Sequence, residues 1–395
     1  MKIRDIGVVF DGPHATPKRV DSGKYFLNIS SLENGRLKLE NSDHVVDEDF
    51  ARWTKRVQPR KDDLLFSYET RLGEAALMPE GIEACLGRRM GLIRPNSNKI
   101  NSRFLLYYWL SPAFQNQISA RTLHGSTVPR ISIKELPDWE IEVPEISQQS
   151  AIADVLGALD DKIAANQRVM AISYQLIRTI GATVQEFVDL GAVAQIDRKS
   201  VTPAMMNGKT VQLHSIPGFD AGQSELVDGE TIKSGKFLLE GPRVLVSKLN
   251  PLTPRVWHTS VVDQGEIAVC STEFIPFSSG EVPNSALYAS LIQPEFSSRL
   301  SEYASGTSNS HQRVKPEDML VTPIRDPRAL TDIELERLEA LDNMISALTK
   351  ENQALARTRD ELLPLLMSGK ITVAEAEQEV EGMGVEKRAE GAGDV

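Results

Sequence analysis

The sequence predicts an α+β protein: two similar α/β-mixed globules separated by two long α-helices that pair as an antiparallel coiled coil. Three observations carry that expectation. The chain repeats itself, it contains two heptad seams, and each repeat mixes strand-like runs with turn signals. Its 395 residues, 41% of them hydrophobic and 25% charged, suit two domains with ordinary cores.

The repeat comes first, because a fixed internal period decides architecture. Ser111-Pro112-Ala113-Phe114, Gly125-Ser126-Thr127 and Arg130-Ile131 return as Gln293-Pro294-Glu295-Phe296, Gly306-Thr307-Ser308 and Arg313-Val314. Asp63-Leu64-Leu65-Phe66-Ser67 is echoed by Arg243-Val244-Leu245-Val246-Ser247, and the runs holding Cys85 and Cys270 fall at comparable places. Each copy leads into a helix with a Leu-Asp pair, Leu159-Asp160-Asp161 and Leu341-Asp342-Asn343. The expected order is a first globule over 1–145, a helix over 146–190, a second globule over 191–325, a helix over 326–370 and an acidic, flexible tail over 371–395.

Inside the globules, Val244-Leu245-Val246 and Val261-Val262 read as strands, and Asn34-Gly35, Asp228-Gly229 and Asn250-Pro251 as turns. A helix is expected from Phe104 to Ile118, with Leu287 to Leu300 as its counterpart.

The long helices announce themselves by steps of four and three. The first seam runs Ile152, Leu156, Leu159, Ile163, Asn166, Met170, Ser173, Ile177, Ile180, Val184 and Phe187. The second runs Leu338, Leu341, Ile345, Leu348, Asn352, Leu355, Arg359, Leu362 and Leu366. Thr331 and Glu334 have capping-box spacing, and Pro364 is expected to kink or end the helix after Leu363. A two-in-seven stripe is narrow for a helix lying on its own globule and fits a helix–helix seam, with Asn166 and Asn352 fixing register. The pair would act as a spacer.

Composition excludes several classes. The net charge is −11, distributed as +1 over 1–145, −2 over 146–190, −2 over 191–325 and −8 over 326–395, so it gives no general attraction to nucleic acid. Two cysteines build neither a disulfide framework nor a cysteine zinc site, which points to a reducing compartment. With no apolar signal core after Met1-Lys2 and no stretch of about 18 apolar residues, a cytoplasmic protein without a membrane span is expected. Gly208-Lys209-Thr210 lacks the glycine of a phosphate loop, having Pro203 instead, and the six histidines show no metal-ligand spacing. No catalytic or metal-binding residue is identified.

Three stretches resemble the specificity subunit of Type I restriction-modification enzymes. Leu245-Val246-Ser247-Lys248-Leu249-Asn250-Pro251 is similar to a strand-turn of that family's target recognition domains. Gly125-Ser126-Thr127 through Pro144, then Ala151 to Leu156 and Leu159 to Ile163, resembles the junction of its first recognition domain with the spacer, and Leu362 to Ile371 resembles the close of the second spacer. The resemblance covers about residues 1–372, and its specificity lies in the order of the parts. It implies that each globule reads one half of a split double-stranded DNA target while the helices set the gap. It also implies a non-catalytic chain that binds no cofactor. Two modification (methyltransferase) subunits would supply S-adenosylmethionine chemistry and restriction subunits ATP- and magnesium-dependent chemistry, as in phage defence by DNA methylation. A protein-binding scaffold, an enzyme with an unrecognised site, and the specificity protein of a related defence system are the alternatives.

Base reading needs side chains with two hydrogen-bonding points, and phosphate contact needs cations or hydroxyls. The first-globule candidates are Lys18, Arg19, Tyr25, Tyr68, Arg71, Ser126, Thr127 and Arg130. In the second they are Lys248, Asn250, Arg255, His258, Thr307, Ser308, Asn309, His311, Gln312 and Arg313. Of adjacent Arg88 and Arg89, at most one is expected to face DNA. The near-neutral globules predict modest affinity of the chain alone, with partners adding much of the backbone grip. On the helices, Gln167, Arg168, Gln353 and Arg357 are candidate partner contacts.

Overall fold

The computed structural model describes residues 1–13, 17–123, 128–259, 267–304 and 312–385. Two compact units emerge: Met1–Ala164 with Ala354–Val395, and Ala165–Gln353. Each long helix therefore contributes one part to each unit.

In the first unit the apolar run Leu64–Ser67 is buried along its whole length, as suits a central strand. It lies in an antiparallel sheet ordered Gly7–Asp11, Met90–Pro95, Leu64–Ser67, Ala75–Leu77. Alternation sends Leu64 and Phe66 into a core with Phe104 and Trp109, and Leu65 into another with Leu27, Leu86 and Leu92. A second sheet, ordered Asp43–Val45, Lys24–Leu27, Ala84–Leu86, contains one parallel pair with Phe26 opposite Cys85.

The second unit reproduces this plan. Its first sheet is ordered Gln195–Ile196, Phe274–Ser278, Arg243–Ser247, Val256–Thr259, and its parallel pair sets His214 opposite Cys270. The echoed sequence runs thus occupy equivalent strands. Burial pushes the thiols of Cys85 and Cys270 up to about 12, so both are protonated packing groups.

The helix expected over 104–118 is in fact two, Ser102–Leu110 and Pro112–Ala120. Its counterpart is likewise split into Asn284–Leu291 and Pro294–Glu302. Proline is the common cause: lacking an N–H, it starts a helix and cannot continue one. Ser111 closes the first member and caps the second, its Oγ accepting from Phe114 N at 3.4 Å.

The long helices are Ile146–Thr183 and Asp332–Met367. In the first unit Ile152, Leu156, Leu159 and Ile163 share a core with Leu355, Leu362 and Leu366. In the second, Ile177 and Ile180 share one with Leu338 and Ile345, with Met170 and Leu341 packed against it. Asn166, 4% exposed, donates from Nδ2 to Asn352 Oδ1 at 2.9 Å and to Glu351 Oε2 at 2.7 Å. Numbers rise on one helix as they fall on the other, so the pairing is antiparallel. Leu348 is half-buried beside this seam.

Three expectations need correction. The first helix ends at Thr183, short of 190: Arg325 Nη1 caps it by donating to the carbonyls of Ala182 and Val184, and the exposed Phe187 begins a strand, Phe187–Asp189, paired with Pro323–Arg325. Pro364 does not end the second helix, which runs to Met367. One intrahelical bond is lost near the terminus, while Leu363 and Leu366 are buried on either side, and Gly369 at φ 67° closes a Schellman turn, with Lys370 N donating to Leu365 O at 2.9 Å. The tail is folded at least to Val385. Thr372 and Glu375 form a capping box on the helix Val373–Glu381, and Ala376, Val380 and Val385 are buried in the first unit's core.

Candidate nucleic-acid interface

The same turn follows the central strand in both units. In the first, Ser67 Oγ donates to Glu69 O at 3.0 Å, and the chain turns through Thr70 at φ 72°. Thr70 N donates to Pro129 O at 3.4 Å, Ile131 N to Tyr68 O at 3.0 Å, and Glu69 bridges Arg130. In the second, Ser247 Oγ donates to Leu249 O at 3.1 Å, and the left-handed residue is Asn250 at φ 51°. Asn250 N donates to Gln312 O at 2.9 Å, Val314 N to Lys248 O at 3.0 Å, and Leu249 bridges Arg313. Each turn is thus laced to the end of the segment that began as a Gly-Ser/Thr loop.

A left-handed residue without glycine stores strain, and a β-branched one stores more. Arg89, itself at φ 73°, holds Thr70: its Nη1 donates to Thr70 Oγ1 at 3.2 Å and its Nε lies 3.0 Å from Glu69 Oε1. Replacing Thr70 by asparagine, the residue the second unit uses, is expected to raise stability by about 0.5–1 kcal/mol. Chemical denaturation checks this, and a loss of stability would show that the Arg89 bond outweighs the strain.

Of the first-globule candidates, Lys18 is exposed and Arg130 is exposed beside the turn. Arg19 pairs with Asp43 at 3.3 Å, and Tyr25 packs on His44 with ring centroids 4.9 Å apart. Arg71 donates to Ile29 O at 3.3 Å and to Glu74. Tyr68 is 6% exposed, and burial together with nearby Asp11 raises its phenol above the usual range, so it presents backbone rather than a side chain. Ser126, Thr127, Thr307, Ser308, Asn309 and His311 lie outside the described residues.

In the second unit Lys248, Asn250, Gln312 and Arg313 converge at the turn, where Arg313 is tied to Glu273 at 3.2 Å and 3.3 Å. Arg255 is held bidentately by Asp220 at 2.7 Å and 3.0 Å. His258 points elsewhere. Its Nδ1 lies 2.5 Å from Asp342 Oδ1 and its side chain is 7% exposed, so it joins its sheet to the long helix instead of facing a ligand.

That contact explains the duplicated Leu-Asp pair. Asp160, the first-unit equivalent of Asp342, accepts from Tyr107 Oη at 2.6 Å and from Arg359 Nη1 at 2.7 Å, and Asp161 pairs with Arg103 at 2.7 Å. The repeat of Leu-Asp in the sequence was the signal for these helix-to-globule acids. Among the proposed partner contacts, Gln167, Arg168, Gln353 and Arg357 are all exposed. No group of acidic, histidine or cysteine side chains suited to a metal ion occurs among the described residues, and no described helix is long and apolar enough to cross a membrane.

Residues 1–171 match the family model described as the Type I restriction modification DNA specificity domain. Over 94% of its length the chain is 22% identical to a putative type I restriction enzyme MjaX specificity subunit of Methanocaldococcus jannaschii, covering 93% of that protein. A second protein of the same organism, the type I restriction enzyme MjaVIII specificity subunit, is 25% identical over 38% of this chain and 39% of its own. The fold is similar to the crystal structure of a Type-I restriction-modification system S subunit from M. genitalium, with a TM-score of 0.54, 14% identity, and coverage of 93% of this chain and 95% of that one.

Proposed function

We propose, from the premise that residues 1–171 belong to the Type I restriction modification DNA specificity domain family, that this chain reads DNA for a restriction-modification complex. Each unit reads one half of a bipartite double-stranded target, and the helical pair sets the gap. The observation that carries this is the duplicated turn, with Thr70 and Asn250 at the same left-handed position on equivalent sheets. Two copies of one presenting device suit two half-sites. The chain's own part is recognition without catalysis, as in its family. Methyl transfer from S-adenosylmethionine would belong to two modification subunits, and ATP hydrolysis with cleavage to restriction subunits.

Neither turn has a free bidentate arginine among the described residues, since Arg89 and Arg313 are paired with Glu69 and Glu273. Base reading would require those pairs to exchange a carboxylate for a guanine edge, or would fall to neighbouring loop side chains. Genome-wide mapping of methylated adenines, with the gene present and deleted, tests the proposal. One split motif should vanish on deletion and return on complementation; an unchanged methylation pattern would refute it.

A further inference from the structure

The turn is not where the first unit's free positive charge gathers. Between Asp43–Val45 and Leu64–Ser67 the chain makes the helix Asp47–Trp53 and then runs Thr54-Lys55-Arg56-Val57. Three cations within five residues, Arg52, Lys55 and Arg56, thereby meet the Gly12-Pro13 end of the first strand and Leu86. They surround a cavity of about 110 Å³.

Charge there is uncompensated. Arg56 is paired with Asp11, the cavity's one lining carboxylate among the described residues. Arg52 and Lys55 are exposed and have no acidic partner among the described residues; Arg52 lies over the Trp53 ring, 5.8 Å from its centroid. Exposed Arg88, two residues past Leu86, is also unpaired, whereas its neighbour Arg89 is committed to Glu69. Trp53 Nε1 is buried beside this site with no hydrogen-bond partner among the described residues. The volume equals that of three or four liquid waters, at about 30 Å³ each, enough for the exposed oxygens of one phosphodiester.

The second unit has no equivalent. There the strand Ile267–Cys270, matching Ala84–Leu86, is flanked by the strand Lys236–Leu238 where the first unit packs its helix. The adjoining arginine, Arg255, is neutralised by Asp220.

We infer that the Arg52–Lys55–Arg56 cavity, with Arg88 at its edge, is a backbone-phosphate site, so that the chain grips the flank of one half-site through its first unit. This rests on the DNA-reading proposal and adds an asymmetry to it. Phosphate contacts fix register without reading sequence, so the site would hold any duplex.

The test is the salt dependence of binding by the full chain to a fluorescent duplex carrying the mapped motif, and to a scrambled duplex. The double variant R52Q/K55Q should lower the slope of log K against log salt by about one to two, at roughly 0.9 per phosphate released. It should weaken both duplexes alike and leave their ratio unchanged. A control variant, K99Q/K134Q, removes two exposed cations elsewhere and should keep the wild-type slope. A wild-type slope in R52Q/K55Q would overturn the site, and so would an equal loss in both variants. Inorganic phosphate that stabilises the wild type but not R52Q/K55Q, with DNA slopes equal, would overturn it in favour of a small free anion. Failure of the wild type to bind either duplex at any salt would strike the DNA reading itself.

Discussion

Seven residues inserted into each long helix, between Ala164 and Ala165 and between Gln353 and Ala354, should widen the methylated motif's gap by about three base pairs and leave both half-sites unchanged. Seven residues add about 10 Å of helix, and duplex DNA rises 3.4 Å per base pair. The insertion must be made in both helices and must be a whole heptad. A single helical turn of four residues near Ala164, the simpler experiment suggested by sequence, would put the seam out of phase and separate Asn166 from Asn352, which are bonded at 2.9 Å. The chosen points fall at the boundaries between the two units, so each keeps its own residues. Methylome sequencing reads the result. Changed half-sites with an unchanged gap would end the spacer proposal.

A second large effect is expected in acid. His214 ends a strand of the second unit, 5% exposed, with its ring edge-on to Trp257 at 4.7 Å and Nδ1 3.3 Å from Val269 O. Burial holds its pKa down at about 4, against an ordinary value of 6.5. The native state therefore stays neutral where the unfolded chain takes up a proton. Stability falls as pH drops through the window from 6.5 to 4, and the integrated loss is about 3 kcal/mol. His214→Phe keeps an aromatic ring and removes the proton site. Urea unfolding of wild type and variant across that window should diverge by this amount as pH falls. Parallel curves would refute the assignment, because every shared carboxylate cancels in the difference.

The architecture was legible because it is written in periodicity. Alternating steps of four and three survive any detail of packing, and a repeated run such as Leu64 to Ser67 and Val244 to Ser247 reports the same buried strand twice. Boundaries were less legible. The seam pattern continues through Val184 and Phe187, yet Arg325 takes the helix-end carbonyls and a two-strand pairing captures the chain, both of which depend on residues some 140 positions away. The tail's acidic composition hid the spacing of Val373, Ala376 and Val380, which is enough to dock one short helix. Among the candidate site residues, Lys248, Asn250, Gln312 and Arg313 converge because the repeat marked their turn. His258 and Tyr68 were misjudged because residue type cannot say which face of a strand turns inward. The Arg52–Arg56 run was visible in the sequence but sat outside the repeat, which is where attention had gone.

The folded C-terminal helix has a temporal consequence. Residues 165–353 are one uninterrupted piece of chain, and the unit they form can mature while synthesis continues. Its companion is assembled from both flanks: Leu355, Leu362, Leu366 and Val380 complete a core begun at Ile3 and Ile6. A nascent chain must therefore keep its opening 164 residues in a state of incomplete burial until the ribosome has delivered the last of those apolar side chains.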